Sequence, residues 1–259
     1  MKKVIVIPAR YGSSRLEGKP LLPIDGIPMV VRVAQQAIKA TGNNARVVVA
    51  TDDIRIAEVC KDYAIDSIMT SKEHESGTDR VIEVYETLSK NKFVGESDLV
   101  INVQGDEPQI PVEFLKNFIE YCESTDADMY TSATRVCNKE SLVNPNVVKV
   151  VIRKDGRALY FSRAPICLGR KSLDELIMNN AHLRHIGIYA YRGHFLKGWK
   201  QYGASILEES ETLEQLRALE YGAEIKVQVV DSAPPHGVDT YDDYIRVCDD
   251  FERMRKLCS

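Results

Sequence analysis

Three basic side chains lie close together in the segment 8–20 (PARYGSSRLEGKP), directly after the apolar run 4–7. Besides two glycines, the segment contains the cations and hydroxyls of Arg10, Ser13, Ser14, Arg15 and Lys19. Glycine lets a backbone approach a ligand closely, and exposed N–H groups beside fixed cations bind an anion with several oxygens. The segment therefore predicts a triphosphate site, although the Gly-Lys-Ser/Thr ending of a P-loop is missing. A solvated basic turn is the alternative, and the position directly after a predicted strand counts against it.

A carboxylate follows another apolar run in the segment 101–108 (INVQGDEP). The predicted strand runs into Gln104, Gly105 and Asp106. Mg²⁺ takes one or two carboxylates and completes its coordination with phosphate oxygens and water. Asp106 is therefore predicted to bind Mg²⁺, with a turn residue that caps the next helix as the alternative. Glu107 is interpreted as a helix cap or as a residue that contacts the metal ligand without binding the metal itself.

Two further polar segments precede predicted helices. Asp239, in 237–240 (GVDT), either caps the last helix or is a second metal ligand, and spacing alone leaves both roles open. The segment 76–80 (SGTDR) opens a helix. The free N–H groups and positive dipole end of such a helix favour an anion or a polar base edge. An ordinary N-cap followed by a surface arginine is the alternative.

The second half of the chain offers polar groups at other strand ends. Arg163 closes a predicted hairpin, and His185 enters a predicted strand. Both residue types suit a substrate that carries carboxylate or hydroxyl groups, whereas a structural histidine is the alternative. Glu211 and Gln215 share one face of a predicted helix with Glu208, a pattern for which solvent exposure is the usual explanation.

The elements that position these residues alternate between strand and helix in the first half. Strands are predicted at 3–7, 46–51, 65–69 and 99–103, and helices at 29–40, from Asp52 or Asp53 to 63, and at 76–89. This alternation predicts an α/β fold with a largely parallel sheet and helices on both faces. Ligands of such sheets bind at the carboxyl ends of the strands. The loops that begin at Pro8, Asp52, Thr70 and Gln104 are therefore expected to share one rim.

The second half has a more mixed pattern, so the sheet is predicted to be mixed. Helices are expected at 112–123, 207–221 and 241–257, strands at 129–136, 185–191 and 224–230, and a loop with a helical turn or two at 168–182. Two strands, 147–153 and 157–163, flank Lys-Asp-Gly, which predicts a hairpin. The chain is interpreted as one domain, 1–259, with an inserted lobe at about 154–205.

Composition narrows the range of partners. The 259 residues carry a net charge of −4, which argues against a nucleic-acid partner. No apolar run is long enough to cross a bilayer, and no leader sequence is expected. The six cysteines include no C-x-x-C pair, which fits neither a zinc site nor a disulfide framework. Reduced thiols in a cytoplasmic protein are the expectation.

Eight segments, in this order, resemble the 3-deoxy-manno-octulosonate (Kdo) cytidylyltransferases, or CMP-Kdo synthetases, over nearly the full length. They are 8–20, 50–52, 76–80, 102–108, 158–163, 183–189, 213–217 and 237–240. The resemblance implies a Rossmann-like nucleotidyltransferase fold, a homodimer formed largely through the second lobe, and cytoplasmic work for lipopolysaccharide synthesis. It also implies transfer of CMP from CTP to the anomeric hydroxyl of Kdo, with release of pyrophosphate.

The resemblance assigns roles to particular residues. Nucleotide binding falls to Arg10, Ser13, Ser14, Arg15, Lys19, Ser76, Gly77, Arg80 and Gln104. Mg²⁺ is assigned to Asp106 and Asp239, which form the catalytic group together with Arg15 and Lys19. The sugar acid is assigned to Gln104, Arg163, His185, Tyr189, Glu211 and Gln215.

One departure from the family pattern lies on the sugar side. Relatives commonly have Pro-Leu-Glu where this chain has Ile-Leu-Glu at 206–208, and the segment 168–182 also differs. Activation of the 8-amino analogue of Kdo is therefore an alternative. Transfer to another sugar acid such as sialic acid, use of UTP or dTTP, and a non-catalytic nucleotide-binding module are the remaining alternatives.

Overall fold

The structure is a computed structural model that describes residues 1–12, 16–42, 44–74, 76–167, 170, 172–178 and 182–258. Contacts divide the chain into two compact units, one formed by Met1–Asn117 with Pro234–Ser259 and the other by Phe118–Ala233. The lobe predicted at about 154–205 lies within the second unit and stays a prediction. Among the described helices, none combines the length and the apolar character that a membrane span needs.

The first unit alternates strands and helices as predicted. Its elements are β1 (Lys3–Ala9), β2 (Pro23–Ile24), β3 (Ile27–Pro28), α1 (Met29–Thr41), β4 (Arg46–Thr51), α2 (Ile54–Asp62), β5 (Asp66–Met69), α3 (Gly77–Lys90) and β6 (Leu99–Asn102). A short 3-10 turn covers Lys19–Leu21, α4 (Val112–Ser124) follows β6, and the final helix covers Tyr241–Cys258.

Four parallel strands form the sheet of the first unit in the order β6–β1–β4–β5. Every residue of the run 4–7 in β1 is fully buried, as expected for a parallel sheet that is covered on both faces. The register places Ala9 opposite Thr51, and Thr51 opposite Met69. The strands therefore end at one edge, which confirms the predicted rim.

Side-chain caps set where two helices begin at this rim. Ser76 Oγ accepts a hydrogen bond from Asp79 N at 3.1 Å, and Asp79 Oδ2 accepts one from Ser76 N at 3.2 Å. This reciprocal capping box starts α3. Asp53, one of the two predicted caps, accepts from Arg55 N at 2.9 Å and starts α2. The N-terminus of α3 consequently faces the same edge as the ends of the strands.

The second unit contains a mixed sheet in the order β11–β7–β10–β8–β9. Its elements are β7 (Met129–Arg135), α5 (Lys139–Val143), β8 (Lys149–Ile152), β9 (Ala158–Ser162), α6 (Leu173–Met178), β10 (Leu183–Arg192), α7 (Gly193–Trp199), α8 (Ile206–Glu211), α9 (Gln215–Glu220) and β11 (Ile225–Val230). The predicted hairpin is confirmed as the antiparallel pair β8–β9. Its turn uses Gly156 at a φ of 83°, a backbone conformation that favours glycine.

The continuous helix predicted at 207–221 is wrong. The segment forms two short helices, α8 and α9, which are separated at Thr212. Thr212 has a φ of 53° and a ψ of 50°, so the chain leaves α8 through a left-handed residue. Glu211 and Gln215 therefore lie on different helices instead of sharing one face. Helices α5 and α7 were not predicted from the sequence.

Candidate active site

A cavity of about 280 Å³ lies at the rim of the first unit. The loop after β1 contributes Arg10 and Lys19 to its wall, and the start of α3 contributes Ser76, Gly77 and Arg80. The remaining predicted residues in the wall are Gln104, Asp106 and Asp239. Ser13, Ser14 and Arg15, also predicted for this site, lie outside the described residues. Sequence segments that are far apart along the chain are thus brought to one cavity.

Two aspartates converge on the ammonium group of Lys19. Lys19 Nζ donates a hydrogen bond to Asp106 Oδ2 at 2.6 Å, and lies 4.0 Å from Asp239 Oδ1. It also donates to the backbone oxygen of Val238 at 2.8 Å. Two carboxylates that lie around one cation are a donor set that Mg²⁺ accepts when phosphate and water supply its remaining ligands. The described residues contain no group of three or more histidine, cysteine or acidic side chains that would hold a metal without such help.

The last helix has a cap other than Asp239. Thr240 Oγ1 accepts a hydrogen bond from Asp243 N at 3.2 Å, and Asp243 Oδ2 accepts from Thr240 N at 3.0 Å. The capping role that the sequence left open for Asp239 is therefore filled by Thr240. This leaves the Asp239 carboxylate, which is 49% exposed, in the wall of the cavity.

Close backbone contacts join the segments that carry the charged groups. A Cβ atom on Gly105 would lie only 2.5 Å from Pro8 O. Val238 N donates to Asp106 O at 2.9 Å, and a Cβ on Gly237 would lie 3.0 Å from that same oxygen. Glycine at 105 and 237 thus allows three chain segments to approach closely enough for Lys19 to reach both aspartates.

Arg80 is buried, in contrast to the surface arginine that the sequence offered as an alternative. Its side chain is 3% exposed. Its guanidinium group donates to Asp52 Oδ2 at 2.6 Å, Thr70 Oγ1 at 2.7 Å and Ser71 O at 3.0 Å. Arg80 thereby ties the loops after β4 and β5 to α3, and stabilises the rim on that side.

Glu107 follows Asp106 in the chain, and its carboxyl lies close enough to Asp106 and Asp239 to be affected by their charges. Burial, and in addition the charges of Asp106 and Asp239, raise the pKa of the Glu107 carboxyl to about 8. A protonated Glu107 at neutral pH keeps a third negative charge away from the pair. The interpretation of Glu107 as a helix cap or as a residue that contacts a metal ligand stays a prediction.

The cavity also includes His74, which sequence reasoning missed. His74 Nε2 lies 2.5 Å from Glu83 Oε2 on α3. Its position two residues before the capping segment 76–80 was the only sequence signal that pointed to it, and a single histidine in a loop predicts little.

In the second unit, Arg163 and Glu211 are brought together at the end of β9. Glu211 accepts hydrogen bonds from Ser162 Oγ at 2.6 Å and from Arg163 N at 2.9 Å. Arg163 Nε donates to Glu211 O at 2.7 Å, and its Nη atoms donate to the backbone oxygens of Pro145 and Thr212. The bend at Thr212 turns Glu211 toward the hairpin.

His185 and Tyr189 form a second, aromatic group in the same unit. Their ring centroids are 5.4 Å apart, and His185 Nε2 lies 2.9 Å from Thr131 Oγ1. Burial lowers the pKa of His185 to about 3 and raises that of Tyr189 well above its usual value. Both side chains are therefore neutral at physiological pH.

Gln215 is buried, with 4% of its surface exposed. Its side-chain Nε2 has no hydrogen-bond partner among the described residues. A buried amide donor without a partner costs free energy, so this atom is suited to a polar ligand.

Parallel strands with a cationic loop, a helix N-terminus and two aspartates at their carboxyl ends define a nucleotide-binding α/β enzyme. The profile of the family described as "Cytidylyltransferase" matches residues 4–225. A 3-deoxy-manno-octulosonate cytidylyltransferase of Haemophilus ducreyi is 44% identical over 95% of this chain and 97% of its own length. The enzyme of that name from Vibrio vulnificus strain YJ016 is 44% identical over 99% of this chain and 98% of its own.

A solved structure of CMP:2-keto-3-deoxy-manno-octonic acid synthetase complexed with CTP superposes with a TM-score of 0.87 at 39% identity, over 98% of this chain and 100% of that one. A cytidylyltransferase structure from Leptospira borgpetersenii, at 14% identity and a TM-score of 0.59, shares the fold. The chain therefore belongs to the cytidylyltransferase family, and within it to the 3-deoxy-manno-octulosonate cytidylyltransferases. The resemblance, the α/β nucleotidyltransferase fold and the enzyme class inferred from the sequence are confirmed.

Proposed function

We propose that the protein transfers CMP from CTP to the anomeric hydroxyl of Kdo and releases pyrophosphate. The observation that carries this proposal is the convergence of Asp106 and Asp239 on Lys19 Nζ in a cavity that also contains a helix N-terminus. That combination suits a nucleoside triphosphate, and the relatives at 44% identity bear the name of this activity.

Charge neutralisation and alignment are the main tasks in a transfer at phosphorus. Lys19 and Arg10 bind the phosphates, and Lys19 stabilises the charge that develops on the departing pyrophosphate. Mg²⁺ is the proposed cofactor, with Asp106 and Asp239 as its protein ligands; when bound, it neutralises phosphate charge. The N–H groups at the start of α3, around Gly77, are proposed to face the nucleotide.

The polar groups of the second unit are proposed to bind the sugar acid. The partnerless Nε2 of Gln215 and the neutral side chains of His185 and Tyr189 support hydrogen bonds to sugar hydroxyls. Two hydrogen bonds join Arg163 to Glu211, and one from Ser162 to Glu211 and one from Arg163 to Thr212 O fix the pair further. A homodimer and a cytoplasmic location remain predictions from the family resemblance.

The test is pyrophosphate release with CTP and Kdo, followed by mass spectrometry of the nucleotide product. We expect Asp106→Asn and Lys19→Met each to lower the turnover number by roughly 10²–10³-fold, because each removes a charge next to the reacting phosphates. Matched controls are the exposed Asp242→Asn and Lys72→Met, which do not line the cavity and should keep wild-type rates.

Several outcomes contradict the proposal. Near-normal turnover by a folded Lys19→Met or Asp106→Asn protein removes that residue's assigned role. CTP binding without pyrophosphate release indicates a non-catalytic module, and faster turnover of the 8-amino analogue, sialic acid, UTP or dTTP identifies a different substrate.

A further inference from the structure

The wall of the cavity in the first unit combines two kinds of group. Arg10, Lys19, Asp106 and Asp239 carry charged groups, and the start of α3 and His74 contribute further polar groups. Arg80 also lines the cavity, but its guanidinium is engaged by Asp52 and the loop after β5. Because phosphates bind where cations are available, the base of a nucleotide is expected against the part of the wall that His74 forms.

Glu83 fixes which nitrogen of His74 carries a proton. Glu83 Oε2 lies 2.5 Å from His74 Nε2 and accepts a hydrogen bond from Ser71 N at 2.9 Å. Desolvation opposes ionisation of Glu83, but the hydrogen bonds from Ser71 and His74 lower its pKa on balance. An ionised carboxylate can only accept hydrogen bonds, so His74 Nε2 must donate, and Nδ1 of a neutral imidazole is then an acceptor.

Glu83 is itself held in place. Glu83 and Arg80 are neighbours on α3, and both bind Ser71: Arg80 Nη1 donates to Ser71 O, and Ser71 N donates to Glu83. The loop that carries His74 is therefore tied to α3 through both backbone groups of Ser71. The imidazole, 23% exposed, has no other hydrogen-bond partner among the described residues.

We propose that His74 selects cytosine over uracil by accepting a hydrogen bond from the base through Nδ1, with Glu83 as the positioning residue that fixes the tautomer. Cytosine presents an amino group at the position where uracil presents a carbonyl oxygen. A lone pair on Nδ1 binds the amino group and repels the carbonyl. The inference rests on the proposed function, since it names the base-selecting residue of the proposed CTP site.

The expected effect is a change in nucleotide preference. An unpaired acceptor in a partly buried site corresponds to roughly 10- to 100-fold in affinity. We therefore expect His74→Ala to lower the ratio of kcat/KM for CTP over UTP by about that factor, mainly through loss of the preference for CTP. His74→Asn, whose amide oxygen can still accept, should retain part of the preference.

Glu83→Leu separates selection from packing. Glu83 Oε2 faces both Ser71 N and His74 Nε2, and leucine offers neither an acceptor, which permits the other tautomer with Nδ1–H as a donor toward the carbonyl of uracil. This variant should raise kcat/KM for UTP while the imidazole stays in place, a result that a purely structural role of the pair would not produce. His194→Ala, in the second unit, is the matched control and should leave the CTP/UTP ratio unchanged.

Calorimetric affinities for CTP and UTP in the presence of Mg²⁺ complete the test, because they need no sugar acid. The inference is overturned by a wild-type protein without preference for CTP, or by folded His74→Ala and Glu83→Leu variants with the wild-type affinity ratio. One result separates the two proposals: the wild-type protein prefers CTP in binding, His74→Ala does not, and the wild-type protein releases no pyrophosphate with CTP and Kdo. In that case the proposed function fails while the base-selecting role of His74 stands.

Discussion

Replacing Gly105 with alanine tests the close approach between the segment that carries Asp106 and the loop after β1. The new Cβ would lie 2.5 Å from Pro8 O, 3.5 Å from Pro8 C and 3.6 Å from Ile7 Cγ2. Cβ atoms essentially never come closer than 3.0 Å to a non-bonded heavy atom. The backbones at Gly105 and Pro8 must therefore separate by about 0.5 Å. Pro8 O belongs to the backbone and Ile7 is fully buried, so neither can turn away.

The size of the effect follows from that displacement. Overpacking of this kind lowers the unfolding free energy by about 1–3 kcal/mol. For a chain of this size, each kcal/mol lost lowers Tm by roughly 2–4 °C. The separation also moves Asp106 away from Lys19, whose 2.6 Å contact depends on the same two segments. Because a misplacement of about 1 Å can cost roughly 10²-fold in rate, we expect kcat/KM to fall by about 10-fold or more.

The assay combines urea unfolding with pyrophosphate release on a series of glycine-to-alanine variants. Gly237→Ala, with its Cβ 3.0 Å from Asp106 O, should have a smaller effect than Gly105→Ala. Gly95→Ala is the control, since its nearest neighbour would be Asp98 Oδ2 at 3.7 Å, an ordinary contact. A Gly105→Ala protein with the stability and activity of the control would refute the claim that this backbone contact positions the charged groups.

Three further predictions concern buried ionisable groups. Arg80→Met leaves the Asp52 carboxylate without its buried partner. It should lower the unfolding free energy, measured by urea unfolding, by about 3–5 kcal/mol. The double variant Arg80→Met with Asp52→Leu should regain part of the lost unfolding free energy. The pKa of His185 is about 3 in the folded chain, whereas a histidine in the unfolded chain has a pKa of roughly 6.5. Between these two pH values the unfolded chain binds a proton that the folded chain does not bind. The unfolding free energy should therefore fall as pH drops from 6.5 toward 3, by up to about 1.4 kcal/mol per pH unit, and His185→Gln should remove this slope in urea titrations at several pH values. Lys149 Nζ donates to three backbone oxygens, and Lys149→Met would leave them without that donor, which should lower the unfolding free energy by about 1–3 kcal/mol. The control is Lys154→Met at an exposed position, which is expected to have the wild-type Tm. An equal Tm for both variants would contradict the role of Lys149.

The rim of the first unit was predictable because its strands are buried on both faces. Such strands appear in the sequence as short, continuous apolar runs, and 4–7 and 47–50 are of this type. Once these runs alternate with helices, connectivity alone brings their carboxyl ends to one edge. Asp106 could therefore be assigned to the site from its position, whereas spacing left two roles open for Asp239 until the cap formed by Thr240 showed that the helix does not use it.

The second unit was less predictable because tertiary contacts override the local pattern there. The sequence 207–221 consists mostly of good helix formers. The chain nevertheless adopts a left-handed conformation at Thr212, which is unfavourable for a β-branched residue. Arg163 offsets this cost by donating to Glu211 O and to Thr212 O. No local pattern contains that information, since Arg163 is distant along the chain.

Arg80 illustrates the same limit within the first unit. A surface arginine after an N-cap and a buried arginine have the same sequence pattern, and what separates them is the arrival of Asp52 and Thr70 from two other loops. The consequence for the site is electrostatic. Because Arg80 is neutralised by Asp52, it adds little positive charge to the cavity, and Lys19 is shared between two aspartates. A triphosphate alone would bring further negative charge next to Asp106 and Asp239, and the proposed Mg²⁺ would offset that charge if it entered with the nucleotide.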